Sequence, residues 1–387
     1  MNLRNFTYLI IILTVIGYGC KKPYAPQIAA VNSNYLVVEG VINAGQDSTF
    51  IKLSHTVTIS GKVTGTAELG ARLSVESDQG AVYPLVELGK GIYASAPLNL
   101  DNSHKYHLHI ITLADKEYIS DAEAIKSTPP IDSVGYTIQN NGIQLYANTH
   151  DPNNNTRYYR WDYAETWNFH AKYLTAFITD GEKLNFRTPD QQIYTCFASD
   201  TSSSILLGSS SALARDEIYQ APLTQVISTS EKLETKYSIL VKEYALTKEA
   251  YNFWQNMKKN TEQLGSIFDA QPSEVPGNIH CITNPAEPVI GYVSVTNVQQ
   301  KRIFITQDEL PQSWVYTYPY ECGLDTMLFV TRGGQNNVAA YLLPLNTTEF
   351  AISTISANNK LLGYLSTNAE CADCTIRGTT KRPLFWK

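Results

Sequence analysis

Short runs of β-branched and aromatic residues recur along this chain, each closed by turn-forming residues, and that pattern limits the fold more than any other feature. Tyr35-Leu-Val-Val-Glu-Gly-Val-Ile42 and Thr49-Phe-Ile-Lys-Leu53 flank Asn43-Ala-Gly-Gln-Asp47, so they read as paired strands joined by a turn. Similar runs follow at residues 71–76, 82–87, 105–112 and 117–122. Several short strands with regular turns predict an immunoglobulin-like antiparallel β-sandwich over residues 32–128. Thr128-Pro129-Pro130 then interrupts the pattern, because proline lacks the amide donor a ladder needs and stiffens the chain. A chain of 387 residues is too long for one ordinary core, so residues 131–387 read as a second, larger β-rich domain. The fold class is mainly β.

Strand-like alternation continues at residues 134–138, 143–147, 158–169, 237–244, 289–295 and 302–305. One principal α-helix is expected near 248–264. Thr247 can cap it, Ala250, Phe253, Trp254, Met257 and Leu264 fall at helical spacing, and Gly265 can end it. The helix is expected to pack on the second domain's sheet. No repeat period, heptad or low-complexity tract appears, and the strand-rich pattern excludes a helical-repeat glycan-binding protein.

The stretch Arg157-Tyr-Tyr-Arg-Trp-Asp-Tyr-Ala-Glu-Thr-Trp-Asn-Phe169 is the most unusual part of the second domain. Tyr159, Trp161, Tyr163, Trp167 and Phe169 share one parity, so a strand puts them on one face. Two readings follow: a buried sheet face, or an exposed aromatic platform for a sugar or protein. Tyr159, Trp161, Tyr163 and Trp167 are therefore the candidate binding surface.

No catalytic constellation is visible. The chain lacks a Gly-x-Ser-x-Gly elbow, His-Glu-x-x-His, a phosphate loop and a dinucleotide fingerprint, so neither a catalytic residue nor a cofactor is assigned. His107 and His109 can share a strand face, with His104 in the preceding turn, but no third ligand lies close in sequence and no metal site is assigned. Asp151-Pro-Asn-Asn-Asn155 reads as a turn between strands rather than a calcium loop. Ser202–Ser204 and Ser209–Ser211 read as loop, and Asp132-Ser-Val134 as a strand start in preference to a glycosylation acceptor. A formal charge of −6 without a Lys/Arg cluster argues against a nucleic-acid partner.

The amino terminus sets an address. Arg4 precedes the apolar run Leu9–Ile16, and small Gly19 precedes Cys20, an order that resembles a lipoprotein signal peptide over 1–19 with Cys20 as the acylated residue. Gly17 replaces the leucine such a signal prefers three residues before the cysteine, and simple secretion is the alternative. The run is too short to span a bilayer. Acyl chains, worth about 0.8 kcal/mol per buried methylene, would hold the protein through a linker at 20–31. Lys21 and Lys22 follow the cysteine in place of acidic residues, so the facing of the anchor stays open.

Of the remaining cysteines, Cys196, Cys281, Cys322, Cys371 and Cys374 cannot all pair within one chain. One or two bridges near the C-terminus are expected, with Cys322, Cys371 and Cys374 as candidates and at least one buried free thiol. Cys371-Ala-Asp-Cys374 has redox spacing but lies in the tail of a β-rich chain, where a structural bridge or two clamping half-bridges fit better.

Taken with the lipoprotein start, Tyr35-Leu-Val-Val-Glu-Gly40, Asp151-Pro152, Arg157-Tyr-Tyr-Arg-Trp161, Pro272-Ser273, Gly277-Asn-Ile279, Asn284-Pro285, Gly291-Tyr292, Lys301-Arg-Ile303 and Cys371-x-x-Cys-Thr-x-Arg-Gly378 with Pro383-x-Phe-Trp386 make the chain resemble the Bacteroidetes lipoproteins grouped as domain of unknown function 4249. The likeness spans nearly the whole mature chain, and Leu384 departs from the family's acidic residue. Because such proteins are usually encoded beside TonB-dependent outer-membrane receptors, the resemblance implies an outer-membrane binding or accessory role in nutrient uptake, with that receptor as partner and the ligand unnamed. It carries no catalytic residues to transfer. A surface adhesin or assembly component is the first alternative, and a hydrolase with an unrecognised site the second.

Overall fold

The computed structural model describes residues 34–57, 65–262 and 275–387. Cys20, the signal segment and the linker lie outside these residues, as do Leu264 and Gly265 at the expected helix end.

The first unit is a β-sandwich whose strands fall where the alternation places them. Leu36–Asn43, Phe50–His55 and Ile92–Ala94 form one layer; Arg72–Ser77, Lys105–Ile111, Glu117–Ser120 and Glu123–Ala124 form the other. Val82–Gly89 joins the layers, pairing first with Arg72–Ser77 and then with Ile92–Ala94. Inward residues such as Leu36, Ile51, Val75, Tyr93 and Leu108 fill the core between them.

The structure differs from the expected boundary in one respect. Ile279–Cys281 pairs with Glu117–Ser120, while Ile290–Gly291 and Ser294–Thr296 pair in parallel with Leu36–Asn43. The segment 279–296, read as part of the second domain, therefore completes the first sandwich. A parallel neighbour cannot be reached by a hairpin and needs a long crossover; here the crossover includes most of the second domain. Close backbone approach fixes the return. A Cβ on Gly291, at φ +146°, would lie 2.3 Å from the Val38 carbonyl oxygen, and one on Gly277 would lie 1.9 Å from the Gly291 carbonyl oxygen.

The second unit is also two-layered. Asp216–Ile227, Gly142–Asp151 and Ile131–Gln139 form one sheet. Thr195–Thr201, Tyr158–His170, Lys236–Ala245 and Gln299–Thr306 form the other, with Leu206–Ser209 also pairing with Tyr158–His170. The Asp151–Asn155 segment is the turn between Gly142–Asp151 and Tyr158–His170, as read: the Asp151 carboxylate accepts the amides of Asn153, Asn155 and Thr156 at 2.9 Å each. Burial alone would raise this carboxyl, but those amides hold it below its ordinary value.

The helix runs Lys248–Glu262 and is capped by the Thr247 hydroxyl, which accepts the Ala250 amide at 3.1 Å. It packs on the second sandwich through Tyr244 and Leu207, as expected, and also reaches Tyr292 of the returning segment, Val41 of the first sandwich and Val298 just before Gln299–Thr306. Arg160 is stacked between Tyr244 and Trp254, at 4.6 and 4.3 Å from their ring centroids. The helix thus brackets the two sandwiches. No helix among the described residues is long and apolar enough to cross a membrane.

A small lobe completes the chain: Asp325–Leu328, Glu349–Ala357 and Lys360–Asn368 form a sheet against the hairpin Phe177–Thr179 and Leu184–Phe186. Two disulfides secure this end. Cys322–Cys371 closes the lobe at its neck and Cys196–Cys374 ties the tail to the second sandwich, so the Cys-x-x-Cys pair forms two half-bridges. Cys281 is buried and free.

Candidate functional site

The expected aromatic face exists, but it points inward. Tyr159, Trp161, Trp167 and Phe169 are buried in the second core, and Tyr163 packs half-buried against it. The candidate binding surface is corrected accordingly: the opposing sheet, built from residues 131–151 and 216–227, covers this face and removes its apolar area from water.

The polar ends of these rings meet buried acids. Tyr159 donates to Asp216 at 2.5 Å, and Trp161 Nε1 and Thr149 Oγ1 donate to Glu243 at 2.7 and 2.9 Å. Burial dominates at Glu243 and pushes its pKa up to about 7, against these two hydrogen bonds and assisted by the charges of Asp132 and Asp216. Such a shift marks a functional candidate, yet Glu243 is enclosed in the core and acts on stability. A carboxyl raised above its unfolded value of 4.5 keeps in the native state a proton that the unfolded chain has released. Stability therefore falls as pH rises from 4.5 to about 7, a cost of about 3 kcal/mol that is complete above that window and absent below it. Glu243→Gln preserves a neutral partner, with its carbonyl accepting from Trp161 and its amide donating to Thr149. Urea unfolding at pH 8 should show the variant more stable by up to about 3 kcal/mol, with little difference at pH 4.5; an unchanged pH dependence would refute the assignment.

The histidines are engaged by carboxylates. His109 lies 2.9 Å from both Glu76 and Glu117, His107 3.6 Å from Glu76, and His104, in the turn, 3.3 Å from Asp78. Among the described residues no group of three ligands is placed to hold a metal.

Aromatic side chains do line a concave site elsewhere. A cleft of about 430 Å³ opens at one end of the second sandwich. Ala171 and Lys172 follow the long aromatic strand, Leu233 and Glu234 come from the turn before Lys236–Ala245, and Gln307 and Leu310 follow the Gln299–Thr306 strand. The remaining lining comes from Tyr194, Ser228 and the segment 311–318, which contributes Trp314, Tyr316 and Tyr318. The sequence signal for this wall is Trp314-Val-Tyr-Thr-Tyr-Pro-Tyr320, whose alternate residues are half-buried aromatics while Val315, Thr317 and Pro319 are exposed. Sequence reasoning passed over it because the segment is not a strand.

The wall is held from behind. Arg377 bonds the Glu231 carboxylate, donates to the Tyr318 hydroxyl at 3.1 Å and lies 4.5, 5.0 and 5.8 Å from the Phe169, Tyr318 and Tyr320 centroids. It stands three residues beyond Cys374, so the Cys196–Cys374 bridge fixes the tail that carries it. Within the cleft, burial raises the Glu234 carboxyl above its ordinary value while the His170 amide, at 3.0 Å, opposes the shift. Burial also raises the Tyr316 hydroxyl, which has no hydrogen-bond partner among the described residues.

Two larger concavities are less suited to a specific ligand. In the cleft of about 1050 Å³ between the sandwiches, charges already pair, Lys52 with Glu39 at 2.7 Å and Arg160 with Asp162 at 3.1 Å. An apolar groove of about 860 Å³ near Tyr35 and Met257 adjoins segments outside the described residues.

A family model described as Domain of unknown function (DUF4249) matches residues 21–302. No curated protein matches the chain. Among solved structures, a segment of two fibronectin type-III domains from chicken tenascin is similar at 9% identity over 53% of this chain and 88% of that chain, with a TM-score of 0.16. A DUF4785 family protein from Legionella pneumophila is similar at 9% identity over 54% and 52% of the two chains, with a TM-score of 0.17. Likeness this slight bears on neither the fold nor the site.

Proposed function

The chain belongs to the DUF4249 family, and on that premise we propose that it is an outer-membrane lipoprotein, acylated at Cys20, with a non-catalytic binding or accessory role beside a TonB-dependent transporter in nutrient uptake. The observation that supports binding is the cleft itself: aromatic walls, a few convergent polar groups and a volume of about 430 Å³, in the range of small-ligand sites. Among the described residues lining it, Glu234 is the sole carboxylate, which fits binding better than a two-carboxylate hydrolase. A surface adhesin would instead work through a flat apolar face. Val82, Pro84, Val86 and Leu88 supply an exposed stripe of that kind on one strand face, so adhesion is retained as the second reading.

Crosslinking followed by pull-down from native outer membranes tests the main reading. The intact protein should recover a TonB-dependent transporter, and Cys20→Ala should lose both the membrane fraction and the transporter. Membrane retention of the Cys20→Ala protein, or recovery of no transporter from cells expressing both, would contradict it.

A further inference from the structure

We propose that the cleft beside Trp314 binds a neutral, hydroxyl-bearing ring compound, that is, a saccharide of about one or two rings; this rests on the reading of the cleft as the binding site. The lining decides the ligand's charge by balance. Glu234 contributes a carboxylate and Lys172 an ammonium, with no surplus of either sign.

An organic cation would find aromatic faces, but Tyr318 already has Lys172 and Arg377 at 6.0 and 5.0 Å from its centroid. Those charges repel a second cation. An anion would face Glu234. A purely apolar ligand would strip water from Glu234 and Gln307 without replacing its hydrogen bonds and would leave the buried Tyr316 hydroxyl unpaired, and unpaired buried polar groups are costly. Among the described residues the buried Tyr316 hydroxyl has no partner, and it belongs to a residue of the cleft wall.

A sugar ring satisfies each demand at once. Its C–H faces lie flat on aromatic rings, supplied here by Trp314 and Tyr194, while its hydroxyls both donate and accept. Glu234 and the Gln307 carbonyl accept, Lys172 donates, and Tyr316 can do either. A site built to hydrogen-bond hydroxyls also rejects analogues lacking them, so specificity comes from the same groups.

Isothermal titration of the full lipoprotein in detergent tests this with maltose, cellobiose, diacetylchitobiose and a neutral Gly/Ser pentapeptide as probes. At least one disaccharide should bind saturably and the peptide should not. Trp314→Ala should weaken binding by at least about tenfold, and Tyr316→Phe, which keeps the ring and removes the hydroxyl, by about fivefold. Phe50→Ala, at the cleft between the sandwiches, should leave it unchanged. Binding of the peptide alone, binding of no disaccharide at millimolar concentration, or disaccharide affinity unaltered in Tyr316→Phe and Trp314→Ala would overturn the assignment. Because the titration contains no transporter, a transporter recovered from membranes alongside a negative titration would remove the saccharide and leave the accessory role standing.

Discussion

Trp161→Ala is expected to cost about 5 kcal/mol of stability, read as a fall in the urea midpoint. The indole lies at the centre of the second core, stacked on Tyr159 at 5.8 Å between centroids. The opposite packing is equally close, since a Cβ on Gly208 would come within 2.6 Å of the ring. Truncating a buried tryptophan usually costs about 3–5 kcal/mol. A further loss follows because Glu243 forfeits its 2.7 Å donor, and a buried acceptor deprived of a partner costs about 1–3 kcal/mol. Trp161→Phe keeps most of the volume and loses the donor, so its cost should fall near the latter range. A Trp161→Ala protein as stable as the parent would return the aromatic stripe to the surface.

Removing the Cys196–Cys374 bridge by paired serine substitution should destabilise the protein by up to about 5 kcal/mol. The bridge spans 178 residues of sequence, against 49 for Cys322–Cys371. Closing the longer loop removes more freedom from the unfolded chain, so the shorter bridge is expected to contribute about 4 kcal/mol. The long bridge also orients the tail. Phe197 exchanges backbone hydrogen bonds with Thr379 at 2.7 and 2.9 Å, and Trp386 packs edge-on against Phe197 and Phe304 at 5.2 and 5.6 Å. Non-reducing urea unfolding of the two double-serine proteins checks both values. A larger loss from the Cys322–Cys371 pair would contradict the loop argument.

Alternation revealed the strands wherever one face is buried and the neighbours are joined by hairpins, as in Leu36–Asn43 with Phe50–His55. It did not reveal that residues 279–296 return to the first sandwich, because the strands there are two or three residues long and two of them pair in parallel. For Tyr158–His170, parity correctly grouped Tyr159, Trp161, Tyr163 and Trp167. Period two states which residues share a face, not whether another sheet covers it. The half-bridge reading of Cys371 and Cys374 is matched by the disulfides, but the partner Cys196 emerged only once the fold brought strand and tail together. Most of the cleft was legible only in part: the alternate aromatics of 314–320 are plain in the sequence, whereas Tyr194 and Glu234 join them through tertiary contacts.

The proposed binding role uses the cleft and not the flat apolar face. Val315, at the cleft, and Val86, on the outward stripe, are comparably exposed, at 74% and 67%. A photoreactive benzophenone side chain placed at each position in turn, with irradiation of intact outer membranes and mass spectrometry of the adducts, compares the two directly. Adducts to a ligand or membrane component from position 315 and none from position 86 are predicted; adducts from position 86 alone would contradict the claim.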